Sequence, residues 1–117
     1  MRTNTLKQKL QAGQAAFGVM CTFPSPQVVE MLGTLGFDWI LLDNEHGSVT
    51  VDTAESCIMA AELTGMAPIV RPVAAKAEII SPFLDRGAVA KAILARRADA
   101  LVVTGLGAPT WDAAGAG

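Results

Sequence analysis

Apolar and polar positions fall in blocks along this chain. Ala16–Thr22, Phe37–Leu42 and Met66–Val70 are short apolar runs, and between them apolar residues recur every three or four positions. Trp39 to Leu42 are all large and apolar, without the alternation of a half-exposed strand, so this run predicts a strand covered on both faces, as in a parallel sheet. The stretches between the runs predict amphipathic helices with recognisable ends. Asn4 or Thr5 caps a helix with Leu6 and Leu10 on one face and Gly13 at its stop. Ser25 followed by Pro26 opens a helix to Leu35, with Val28, Val29, Leu32 and Leu35 on one stripe and Gly36 closing it. Thr50, Asp52 and Thr53 offer caps for a helix through Ala54, Ile58 and Ala61 to Leu63, stopped by Gly65. Ala77–Leu84 is a further helix with a kink expected near Pro82. Val89–Arg97 is rich in alanine, leucine, lysine and arginine and predicts a helix. Ala98–Gly105 then reads as another parallel strand with a rim loop.

The second strand ends abruptly in Asp43-Asn44-Glu45-His46-Gly47, and His46 is the chain's one histidine. Parallel strands of α/β folds present chemistry at their carboxyl ends. Two carboxylates beside one imidazole can hold its tautomer, raise its pKa or share a metal's coordination shell. Arg71 stands at the corresponding end of the third strand, where a fixed guanidinium suits a carboxylate or an enolate oxygen. Two plainer readings stand beside these: the Asp-Asn-Glu-His cluster as a polar turn before a helix, and Arg71 as no more than the neutralising partner of Asp43 or Glu45.

Composition narrows the classes. Eleven acidic against nine basic residues give a net charge of −2, which argues against a nucleic-acid partner. Hydrophobic residues make up 51% and charged ones 17%, which predicts extensive burial and association into a homo-oligomer. No apolar run reaches the roughly 20 residues of a membrane span, and no apolar segment follows Met1-Arg2-Thr3-Asn4, so a cytoplasmic protein is expected. Cys21 and Cys57 form no Cys-x-x-Cys pair and read as reduced, buried thiols. A lysine Schiff base is disfavoured because Lys7, Lys9, Lys76 and Lys91 fall on helices or helix starts. Gly105-Leu106-Gly107 lacks the third glycine of a dinucleotide fingerprint.

The segment from Gly36-Phe37-Asp38-Trp39 through Ile40-Leu41-Leu42 to Asp43-Asn44-Glu45-His46 resembles the signature of the HpcH/HpaI aldolase family, which includes citrate-lyase-like enzymes. Leu84-Asp85-Arg86-Gly87-Ala88 resembles the close of that family's third helix. The resemblance implies an α/β fold: a partial TIM (β/α)8 barrel of parallel strands, about its first three to four units. Residues 1–88 are then the amino-terminal part of the barrel, 89–105 a divergent helix and strand, and 106–117 a disordered tail. Two accounts of that tail compete, a frameshift or internal deletion in a longer aldolase gene and an authentic short protein with its own last strand; the first is preferred, since a TIM barrel takes about 250 residues.

The implied activity is that of a class II, divalent-metal-dependent lyase. It would cleave a 4-hydroxy-2-oxo acid to pyruvate, or a related 2-oxo acid, and an aldehyde. Arg71 would bind the substrate and, with Mg, Mn or Co, stabilise the enolate; His46 would be the base, with Asp43 orienting it. Glu45 would support the imidazole, and Asp85 would hold water or line the site. The family's metal ligands, a glutamate and an aspartate, lie on later strands, and no glutamate follows Glu78, so no metal ligand is assigned in this chain. Two other readings are kept open: an inert fragment or assembly module of the family, and a binding protein for pyruvate-like anions using Arg71.

Overall fold

The computed structural model describes residues 4–88, 90–92 and 101–103. Helices α1 (Thr5–Gln11), α2 (Pro26–Thr34), α3 (Val51–Leu63) and α4 (Ala77–Asp85) interleave with strands β1 (Gly18–Cys21), β2 (Trp39–Asp43), β3 (Ala67–Arg71) and β4 (Ala90–Ala92), and β5 (Leu101–Val103) follows. The strands form one sheet in the order β1-β2-β3-β4-β5. β1 to β4 run parallel, with Gly18 opposite Trp39, Asp43 opposite Arg71 and Ile69 opposite Ala90.

The caps fall where the sequence places them. The Asn4 side chain accepts from the Lys7 amide, Ser25 Oγ accepts from the Val28 amide ahead of Pro26, and Thr50 and Thr53 form a reciprocal capping box. α2 and α3 stop just before Gly36 and Gly65, both at positive φ. No helix among the described residues is long and apolar enough to cross a membrane.

Alternation along the strands divides the core in two. Cys21, Ile40, Leu42 and Val70 face the helices and pack with Val29, Ala54, Cys57, Ile58, Ala61 and Phe83. Leu41, Ala67 and Ile69 face the other way, the side that is a barrel's interior, and Leu6 of α1 is buried against them. Trp39 borders that cluster, and Lys9 Nζ of α1 is 2.7 Å from Asp38 Oδ1 at the foot of β2. The short first helix is therefore a plug at the amino end of the strands.

Two expectations are overturned beyond Ala88. Within the segment read as the helix Val89–Arg97, residues 90–92 are a strand, and residues 101–103 pair antiparallel with β4 rather than parallel. Helix propensity is worth only tenths of a kcal/mol per residue, whereas the open edge of β3 offers a row of backbone donors and acceptors that β4 satisfies. The tail 106–117 lies outside the described residues.

Two predictions follow from this packing. A Cβ on Gly18 would lie 1.9 Å from Trp39 Cδ2, so Gly18→Ala is expected to destabilise the chain by about 1–3 kcal/mol in urea unfolding. The Asp38 carboxyl is held below its ordinary pKa, first by the hydrogen bond from Lys9 and then by the amide of Phe17, against the cost of burial. A depressed carboxylate contributes stability that is present above its unfolded pKa and is lost as pH falls through the folded one. Asp38→Asn is thus expected to be less stable than the wild type at neutral pH. That gap should close below about pH 4, as read from urea midpoints across a pH series.

Candidate functional site

β2 and β3 end side by side, and their last residues, Asp43 and Arg71, are partners in the parallel register. Both point to the barrel-interior side, one layer above Leu41 and Ile69. Arg71 Nε donates to Asp43 Oδ1 at 2.9 Å and Nη2 donates to Oδ2 at 2.5 Å, the two-pronged arrangement that matches a planar guanidinium to a carboxylate. Asp43 is 0% exposed and Arg71 7%. The hydrogen bond from Arg71 holds the Asp43 carboxyl below the ordinary carboxylate range despite its burial, and the same bond pushes Arg71 above its usual value. Both groups are charged.

Asp43 also shapes the loop that follows it. Its Oδ1 accepts from the backbone amides of Glu45 at 3.0 Å and His46 at 3.2 Å, an Asx-type turn. The Asn44 amide donates to the Arg71 carbonyl at 3.0 Å, and its side-chain amide closes the loop by donating to the Val49 carbonyl at 2.8 Å. On the other side the Ser48 amide donates to the Thr22 carbonyl at 2.8 Å, just past the end of β1. Gly47 lies so close that a Cβ there would be 2.5 Å from both the Thr22 and Asp43 carbonyl oxygens. Any side chain at this position would push the loop off β1.

Glu45 Oε2 is 3.5 Å from Arg71 Nε, and Glu45 Oε1 is 3.4 Å from His46 Nε2. The His46 side chain is 71% exposed. The loop thus presents an accessible imidazole beside a carboxylate, above a buried guanidinium that is already paired. This differs from the sequence reading in one respect: Asp43 positions the backbone carrying His46, while the carboxylate beside the ring is that of Glu45.

Three of the four residues expected to be catalytic, Asp43, His46 and Arg71, come together with Glu45. Asp85 does not join them in this chain. It is the exposed last residue of α4, and α4 returns the chain from the carboxyl end of β3 to the start of the parallel strand β4, so Asp85 lies at the opposite end of the sheet. The loop-closing Asn44 and the Thr22–Ser48 tie to β1 were not singled out from sequence. The Asp-Asn dipeptide followed by Gly47 carried a turn signal for the first, and nothing local signals a contact 26 residues away.

The divalent ion that the family resemblance implies finds no set of donors here. Among the described residues no group of three or more His, Cys, Asp or Glu side chains is placed to hold a metal ion. At the strand ends both carboxylates are engaged by Arg71. The residues described therefore do not fit a resident ion.

A family model described as HpcH/HpaI aldolase/citrate lyase matches residues 17–103. A hydroxypyruvate/pyruvate aldolase from Paraburkholderia phytofirmans is 36% identical over 85 residues, 73% of this chain and 32% of that protein. A 2-keto-3-deoxy-L-rhamnonate aldolase from Escherichia coli is 30% identical over 86 residues, 74% of this chain and 32% of that protein. Among solved structures, the citrate synthase SbnG aligns with a TM-score of 0.72 at 31% identity over 78% of this chain and 37% of its own. The HpcH/HpaI aldolase from Desulfitobacterium hafniense aligns with a TM-score of 0.69 at 28% identity over 74% of this chain and 34% of its own. The chain thus spans about a third of the length of these relatives. The matched residues run from the start of β1 to the end of β5 and include every residue of the Asp43–Arg71 cluster: this chain belongs to the HpcH/HpaI aldolase/citrate lyase family.

Proposed function

We propose that the β2–β3 rim of this chain serves a carbon–carbon lyase reaction on 2-oxo acids, the cleavage of a 4-hydroxy-2-oxo acid to pyruvate, or a close 2-oxo acid, and an aldehyde. The observation that carries the proposal is the buried Asp43–Arg71 pair at two adjacent strand ends, with the exposed His46 on the loop that Asp43 itself organises. Cleavage removes the proton of the 4-hydroxyl, breaks the bond between carbons 3 and 4, and leaves its electron pair as an enolate on the 2-oxo group. The protein must supply a base at the hydroxyl and fixed positive charge at the oxyanion.

His46 is the accessible base, with Glu45 at 3.4 Å to take up the charge its ring acquires. Arg71 is the fixed charge. Asp43 holds its Nε and Nη2, which leaves Nη1, outside that pair, as the donor for the substrate carboxylate or enolate. Because Asp43 and Glu45 both oppose Arg71, the two carboxylates outweigh the one guanidinium, and Arg71 acts on the oxyanion through its directed N–H donors rather than through a net positive charge of the cluster.

A second reading, an assembly module without turnover, is favoured by a different observation. Among the described strands β1 pairs only with β2, and its inward-facing Met20 is 51% exposed. Association of the purified chain without any enolate chemistry supports that reading.

Two outcomes test the first one, and a third tests the buried pair on which it is built. Pyruvate in heavy water is expected to exchange its methyl protons when the purified chain is added, followed by proton NMR with magnesium and with a chelator; absence of exchange from folded protein rejects it. Arg71→Lys keeps the charge but loses the planar fork, and is expected to slow that exchange by at least about tenfold. Asp43→Ala leaves the guanidinium buried and unpaired and is expected to cost about 3–5 kcal/mol in urea unfolding, a penalty that a surface-like ion pair would not show.

A further inference from the structure

Alternation along β1 places Gly18 and Met20 on the barrel-interior face, opposite Trp39 and Leu41. The next position on that face is Thr22, just beyond the strand. Cys21 is the partner of Leu42, so Thr22 is next in register to Asp43. Thr22, Asp43 and Arg71 therefore make one layer across three neighbouring strand ends. The Thr22 backbone is fixed to the loop that carries His46. Its carbonyl accepts from the Ser48 amide at 2.8 Å and from Ser48 Oγ at 3.3 Å, and a Cβ on Gly47 would lie 2.9 Å from its Cα. Thr22 itself is exposed, and its hydroxyl has no hydrogen-bond partner among the described residues. A β-branched side chain on a fixed backbone has few rotamers, so this unpaired hydroxyl is held in place.

Neighbouring strands lie about 4.8 Å apart, so β1 is about 10 Å from the strand that ends in Arg71, on the far side of the His46 loop. A substrate with its 2-oxo acid end at Arg71 and its 4-hydroxyl at His46 extends toward β1 with whatever follows carbon 4. The rim there has no cation for an acidic tail: segments 22–26 and 44–50 contain no lysine or arginine, and Glu45 is their one carboxylate. A hydroxyl is the group that Thr22 can recognise.

We propose, on the lyase reading of this site, that Thr22 is the specificity-determining contact for the aldehyde half of the substrate. Its Oγ hydrogen-bonds the hydroxyl on carbon 5 of a 4,5-dihydroxy-2-oxo acid, so the aldehyde released or added is a neutral 2-hydroxyaldehyde. A methyl group in place of that hydroxyl displaces water from Thr22 without replacing its hydrogen bond. Proton removal stays with His46 and the oxyanion with Arg71.

The experiment is aldol addition by the purified 117-residue chain, with pyruvate and either glycolaldehyde or propanal, which differ by a hydroxyl against a methyl. Products are followed by proton NMR for the wild type, Thr22→Val and Thr22→Ser. The quantity compared is the ratio of kcat/KM for glycolaldehyde to that for propanal. Both aldehydes draw on the same enolate, so a loss of active protein leaves this ratio unchanged. Thr22→Val is expected to lower it about tenfold, chiefly through the KM for glycolaldehyde, and Thr22→Ser to keep it. A Thr22→Val ratio equal to that of the wild type overturns the proposal, as does a Thr22→Ser ratio as low as that of Thr22→Val. A Thr22→Val chain that adds neither aldehyde also overturns it, because Thr22 then serves more than the hydroxyl contact. The lyase reading fails by a separate sign, the absence of methyl exchange from pyruvate alone in the wild type, and the role of Thr22 falls with it.

Discussion

The carboxylate of Asp43 is the group on which the candidate site depends. Its two oxygens accept from two donors of Arg71 and from two backbone amides of the loop beyond it. A buried carboxylate is costly unless its lone pairs are satisfied, and here the satisfaction comes from the site's own parts. The interactions that make the charge tolerable are the ones that aim the guanidinium and place the imidazole. Position and stability share one set of hydrogen bonds.

β2 carries a second carboxylate at its other end. Asp38 joins Lys9 of α1 and the amide of Phe17 ahead of β1, and between the two aspartates lie Trp39 to Leu42, packed on both faces. One strand thus binds the plug at the foot of the sheet and the catalytic candidates at its rim. The layer of Leu6, Leu41 and Ile69 separates them. The floor under Asp43 and Arg71 is apolar, which keeps water from reaching the pair from below and strengthens it.

Much of this could be read from the residues alone because the signals were local. Ser25-Pro26, Thr50 with Thr53, Gly36 and Gly65 each mark a helix end by their own chemistry, and an unbroken apolar run ending in Asp43 marks a strand that delivers polar groups. The partner of Arg71 was narrowed to Asp43 or Glu45, and register decides it: Asp43 sits opposite and takes both prongs, while Glu45 stays at 3.5 Å. What could not be read was nonlocal. Ala90–Ala92 has the composition of a helix and becomes a strand because β3 needs an edge partner. The direction of β5 has no signature in its own residues. The Leu-Asp-x-Gly-Ala segment was recognisable as a motif, but which end of the sheet Asp85 occupies follows from the direction of α4 and not from the motif.

The pairing of Asp43 with Arg71 also bears on how faithfully the sheet assembles. In a sheet, side chains alternate between faces, so a shift of one residue between β2 and β3 carries the whole inner set to the outer face. Apolar side chains alone would resist such an error weakly, since Ile40, Leu41, Leu42, Ile69 and Val70 are similar in kind and one can stand in for another. The charged pair cannot be exchanged in this way. A slipped strand would bury a guanidinium among Val29, Cys57 and Ile58 with no carboxylate opposite it, a cost of several kcal/mol. The buried charged pair of the candidate site thus also acts as an alignment key, rejecting the near-miss arrangements that a uniformly greasy sheet would tolerate.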